Sequence, residues 1–191
     1  MTDASMAPTP GQTVGPFFHY ALPFEGDSCL VPEGSAGAVR LHGYVFDGAG
    51  QAVPDALLEI RQADASGHVP TAEGSRHRDG RFTGWGRAAT DASGHYGFVT
   101  VEPGPTRPDA APFFAVTVLA RGLLDRLFTR AYLPDDAIGL ETDPVVATLT
   151  ADRRNGLVAQ REPDGSLRFD VHLQGPQETT FLRFPRHGGS P

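Results

Sequence analysis

The sequence predicts an all-β fold, an antiparallel β-sandwich with a transthyretin-like (prealbumin-like) core, and three observations carry that prediction. Short runs of alternating apolar and polar residues recur along the chain, clearest at 39–46 and 167–173. Turn signatures punctuate them: Asp47-Gly48, Asp64-Ala65-Ser66-Gly67, Asp91-Ala92-Ser93-Gly94 and Pro103-Gly104-Pro105. The 23 glycines and 17 prolines among 191 residues leave little room for long helices. A chain of this length buries enough surface to fold without a disulfide or a metal staple. It is read as one sandwich domain, 39–191, preceded by an extended arm, 1–38.

Each element has its own justification. In the arm, Pro8, Pro10, Pro16, Pro23 and Pro32 interrupt regular structure, while Val14, Phe17, Phe18, Tyr20, Leu22 and Phe24 make it too apolar for a free tail. Such an arm needs a surface, its own domain or a partner chain. Strands are expected at 39–46, 57–63, 95–101, 113–120, 127–133 and 167–173, with a last edge strand at 179–184. The near-continuous apolar run at 113–120 reads as a central strand buried on both faces. Residues 68–90 read as loop. Asp143-Pro144 can start one short helix, and 150–158 can form another.

Charge and composition exclude several functions. Sixteen Lys and Arg against 23 Asp and Glu leave a net charge of −7, which opposes nucleic-acid binding. Cys29 is the only cysteine, so an internal disulfide and a Cys-rich metal site are both excluded. The lone thiol and the absence of a signal-peptide pattern point to the cytoplasm. No apolar run is long enough to span a bilayer.

Most candidate chemistry has a plain structural reading. Gly84-Trp85-Gly86-Arg87 lacks the strand–turn–helix setting of a dinucleotide fingerprint. His77-Arg78-Asp79 has facial-triad spacing but sits in an Arg-rich, solvated stretch. His172 and Asp170 share the outer face of a strand. Glu59 and Arg61, two apart on one strand face, are expected to pair with each other. Arg121 stands out, because it follows a buried strand at a Gly turn, where a guanidinium can meet a carboxylate.

Two stretches then make a resemblance. Leu41-His42-Gly43-Tyr44-Val45-Phe46-Asp47-Gly48, continuing through Pro54-Asp55-Ala56 to Asp64-Ala65-Ser66-Gly67, resembles the signature of the intradiol ring-cleavage dioxygenases. The stretch 90–104 is similar to one in which the family carries an iron-binding tyrosine, matched by Tyr96. Residues 9–17, Thr9-Pro10-Gly11-Gln12-Thr13-Val14-Gly15-Pro16-Phe17, resemble the arm of the chain that accompanies the iron-bearing chain in two-chain members.

The resemblance implies that catalytic chains hold one ferric ion with two tyrosines and two histidines, the latter as His-x-His. Here Thr106 follows the Pro-Gly-Pro turn in place of the second tyrosine, and Phe113 and Ala115 stand at the histidine positions. Tyr96 is left as a ligand position without partners, expected to pack or hydrogen-bond. The implied role is therefore a non-iron-binding α subunit of a hetero-oligomer. Its homologous β chain holds Fe(III), and the complex cleaves protocatechuate, a dihydroxybenzoate, with O2 to 3-carboxy-cis,cis-muconate. This chain is expected to bind no cofactor and to be inactive alone. By the same resemblance, Thr13, Gly15, Pro16 and Arg121 approach the substrate in the partner's site, with Arg121 facing its carboxylate. A stand-alone dioxygenase with an atypical ligand set and a non-enzymatic binding module are the alternatives.

Overall fold

The computed structural model describes residue 15 and residues 17–71 and 81–183. A short helix, α1 (Phe18–Ala21), precedes six principal strands: β1 (Ala38–Phe46), β2 (Leu57–Arg61), β3 (Trp85–Ala89), β4 (His95–Val101), β5 (Phe113–Leu119) and β6 (Leu127–Tyr132). A helical excursion follows, with α2 (Ala137–Thr142), a 3-10 turn (Val146–Thr148) and α3 (Ala151–Asn155). Three two-residue strands close the order: β7 (Gln160–Arg161), β8 (Leu167–Arg168) and β9 (Val171–His172).

The strands form two sheets. One runs β4-β1-β8-β7 with β9 also on β1, and the other runs β3-β2-β5-β6. Most pairings are antiparallel, but β8 and β9 both lie parallel to β1. Leu41, Val45, Tyr96, Phe98, Leu167, Phe169 and Val171 of the first sheet pack against Leu58, Ile60, Ala88, Phe114, Val116, Val118 and Ala131 of the second. Burying each large apolar side chain there contributes about 1.5–3 kcal/mol. A smaller cluster of Ala111, Tyr132, Leu140, Val146 and Leu157 seats the helical excursion.

The repeated Asp-Ala-Ser-Gly sequence makes the same turn twice. Asp64 Oδ1 accepts from Ser66 N, Ser66 Oγ and His68 N, and Asp91 Oδ1 accepts from Ser93 N, Ser93 Oγ and His95 N. Gly67 and Gly94 take positive φ of 87° and 79°, which the turn requires and which side-chain-bearing residues avoid.

From Phe17 onward the arm lies on its own domain. Arg87 Nη1 donates to Leu22 O at 2.6 Å, and the Phe24 ring stacks on Trp85 at 6.3 Å. Farther along, Arg87 N donates to Asp27 O, Val99 N donates to Ser28 O, and Leu30 N donates to Val99 O. The segment thus crosses from the β3 edge to the β4 edge and occupies backbone groups that would otherwise template intermolecular pairing.

Several expectations change. β3 lies inside the stretch read as loop, because Gly84 before it and Gly86 within it mask a five-residue strand. β5 is not buried on both faces: Phe114, Val116 and Val118 are buried, while Phe113, Ala115, Thr117 and Leu119 are half-exposed. The Glu59–Arg61 pair does not form. Register places Glu59 opposite Arg87, and their side chains meet at 2.5 Å. The strand at 167–173 is interrupted, because Asp170 Oδ1 captures Tyr44 N at 3.0 Å in place of a backbone carbonyl. Residues 179–183 carry no strand; Leu182 N donates to Phe128 O, and residue 184 lies outside the described residues.

The two helical readings hold in reduced form. Asp143 Oδ1 accepts from Val145 N and Val146 N at the start of the 3-10 turn, and α3 falls within 150–158.

Candidate functional site

Arg121 projects from the β5–β6 turn, which Gly122 closes with φ +90°. Its side chain is 64% exposed, and Nη2 meets Asp55 Oδ2 at 2.5 Å. Asp55 is buried in the loop leading to β2, so it fixes the guanidinium while much of the side chain faces solvent. A fork anchored on one carboxylate can still present donors to a second.

Gly15 has φ +84°, and apart from its chain neighbours no atom comes within 4 Å of a Cβ built on it. Nothing among the described residues requires glycine there by close approach; the backbone conformation does. Thr13 and Pro16 lie outside the described residues, as do His77 and Asp79.

The positions matched to iron ligands are placed in detail. Tyr96 packs, as expected: it is a core residue, 2% exposed between the sheets. Its hydroxyl donates to Phe169 O at 2.5 Å, and burial pushes the phenol far above its ordinary range. Strand alternation explains the placement, because Tyr96 shares the inward face of β4 with Phe98. Thr106 is exposed beyond the Pro-Gly-Pro turn. Phe113 and Ala115 share the outer face of β5, and the Arg130 guanidinium stands 3.9 Å over the Phe113 ring.

Iron capture needs several deprotonated donors to converge. A protonated core phenol, an exposed threonine, a phenyl ring under a cation and a methyl group do not fit a ferric ion. Among the described residues no group of three or more His, Cys, Asp or Glu is placed to hold a metal.

Two networks were not legible in the sequence. Arg130 Nη1 donates to the Tyr132 hydroxyl at 2.9 Å, and that hydroxyl donates to Asp143 Oδ1 at 3.2 Å. Asp143 is 1% exposed; burial, joined by the Asp143 carboxylate, pushes Tyr132 up to about 12 against the pull of Arg130. On the other sheet, His42 lies between His95 and Glu162. The only sequence signal for this second network was the polar alternation of β1.

A family model described as Dioxygenase (Dioxygenase_C) matches residues 14–175. The protocatechuate 3,4-dioxygenase alpha chain of Burkholderia cepacia is 40% identical over 190 residues, covering 91% of this chain and 96% of that protein. The beta chain from the same organism is 29% identical over 159 residues, covering 74% of this chain and 66% of that one. Among solved structures, the dioxygenase domain of a carbohydrate-binding fusion protein from Streptomyces sp. SirexAA-E aligns with a TM-score of 0.56 and 26% identity, over 88% of this chain and 99% of that one. No helix among the described residues is long and apolar enough to cross a membrane.

Proposed function

Because this chain belongs to the dioxygenase family whose model matches residues 14–175, we propose that it is the iron-free α subunit of a cytoplasmic protocatechuate 3,4-dioxygenase. The carrying observation is the 40% identity to an alpha chain across 91% of the sequence. The ligand-position residues support it: Phe113, Ala115 and Thr106 offer no phenolate or imidazole, and the Tyr96 phenol is engaged in the core.

In this reading a homologous β chain holds Fe(III), which supplies activation of the bound catechol toward O2. The reaction opens the aromatic ring between its two hydroxyl-bearing carbons and adds both atoms of O2 to give 3-carboxy-cis,cis-muconate. This chain contributes no catalytic residue. Its arm, with Thr13, Gly15 and Pro16, walls the partner's cleft and limits access of water. Arg121 orients the substrate through its ring carboxylate and offsets the repulsion that a net charge of −7 imposes on an anion.

Metal analysis after co-purification and chain separation tests the division of labour. Iron and the visible tyrosinate-to-iron absorption are expected in the complex, and neither in this chain alone. An isolated chain that is coloured and active would establish the stand-alone alternative instead. Arg121→Ala in the complex is expected to raise KM for protocatechuate about tenfold, the loss of one charge-assisted hydrogen bond. Catechol, which has no carboxylate, should change less than about twofold. Equal effects on both would remove Arg121 from the substrate site.

A further inference from the structure

The outer face of the second sheet carries a guanidinium that is held in place yet only partly used. Arg130 of β6 projects outward, and its Cζ stands 3.9 Å over the Phe113 ring. Nη1 donates to the Tyr132 hydroxyl at 2.9 Å and lies 4.0 Å from the carboxylate of Asp143. Stacking on one side and polar contacts at one corner leave the planar group little rotational freedom. Its remaining donors, Nε and Nη2, meet no acceptor among the described residues. The side chain is not sealed from solvent either, since 18% of it is exposed.

Cross-strand register sets what lies beside those donors. Ala115 of β5 is paired with Arg130 on one side and with Arg61 of β2 on the other, and Arg61 is followed by Trp85 of β3. The row thus runs Trp85, Arg61, Ala115, Arg130. Neighbouring strands lie about 4.8 Å apart, so the two arginine Cα atoms stand about 10 Å apart with one methyl group between them. Arg61 is exposed, and the hydrogen bond from its Nη2 to Pro70 O is long, at 3.4 Å. Thr117, in the next row of the same face, adds a hydroxyl beside Ala115.

The acidic groups around this row are committed elsewhere. Glu59 is taken by Arg87 at 2.5 Å. Asp143 is buried and accepts from Tyr132, Val145 and Val146. The row is therefore locally positive on a chain whose net charge is −7. An arginine kept only for packing needs no open donor edge, and this one has an edge that opens beside a small residue and a second arginine.

We propose that Arg130 and Arg61, flanking Ala115, form a binding site for a small organic carboxylate whose apolar body rests against Ala115 and Phe113. A carboxylate accepts two parallel N–H groups from Nε and Nη2 of one guanidinium, the donors that Arg130 leaves open. Because Phe113 and Tyr132 already fix that fork, binding costs little further side-chain entropy. Arg61 reaches the same anion from the other side of the gap. The site lies at the start of β5, whereas Arg121 follows the end of that strand, so the proposal does not depend on the role of Arg121.

Titration of the full chain with benzoate, read by NMR on the arginine Nε–Hε signals, tests the site. Benzoate should move the Arg130 signal saturably, with a dissociation constant of about 1 mM, the scale set by two charge-assisted hydrogen bonds. Benzamide, which has the same shape and no charge, should leave the signal in place. Arg61→Gln should weaken benzoate binding about tenfold. Ala115→Leu, which fills the gap while keeping both arginines, should abolish the shift. A shift that grows without saturating, an equal response to benzamide, or undiminished benzoate affinity in either variant overturns the proposal.

Discussion

Gly43→Ala is expected to cost about 3–5 kcal/mol of stability, one of the largest effects available to a single methyl group here. A Cβ on Gly43 would lie 2.0 Å from Phe169 O, and that obstacle is backbone. The same carbonyl accepts the Tyr96 hydroxyl in the core at 2.5 Å. Glycine at 43 thus lets Phe169, in the link between β8 and β9, turn its carbonyl inward over β1, where it satisfies a buried phenol. A methyl group must displace that carbonyl, which strains the β1 pairing and leaves a buried hydroxyl unmet. Urea denaturation measures the loss, and thermal melting should fall by roughly 10 °C for a domain of this size. Tyr96→Phe together with Gly43→Ala should cost less than the two changes summed, since both act on one carbonyl. A variant as stable as the parent would show that the inward carbonyl does not matter.

Asp143→Ala is expected to cost about 3 kcal/mol and to act locally. Its buried carboxylate accepts from the Tyr132 hydroxyl, Val145 N and Val146 N and lies 4.0 Å from Arg130 Nη1. Alanine strands these donors and removes the counter-charge of a guanidinium that is itself only 18% exposed. The surroundings are the small cluster that seats the helical excursion, so hydrogen exchange should accelerate over 137–158 and leave β1 and β4 protected. Asp143→Asn keeps the shape and one acceptor and should lose about half as much. Uniform acceleration across both sheets would mean that the excursion and the sandwich open together.

The family match and the 40% identity agree with what the motifs implied about family and subunit type. Local patterns reach that far because each rests on neighbours in sequence: β4 is found at its predicted bounds, and both Asp-Ala-Ser-Gly turns form through contacts within four residues. What failed was long-range. Glu59 had two candidate arginines, and the partner was decided by cross-strand register. Tyr96, expected to pack or hydrogen-bond, does both, and only the fold showed that its partner is the Phe169 carbonyl.

Alternation, turn chemistry and the residue types at the ligand positions were determined by the sequence alone: a β-sandwich with no imidazole pair after the Pro-Gly-Pro turn. The tertiary structure decided which outward side chains share a row, placing Arg130 over Phe113 and His42 between His95 and Glu162. Period-two alternation tells which face a side chain occupies, but its neighbours across the sheet follow from register, which loop closure and core packing choose together.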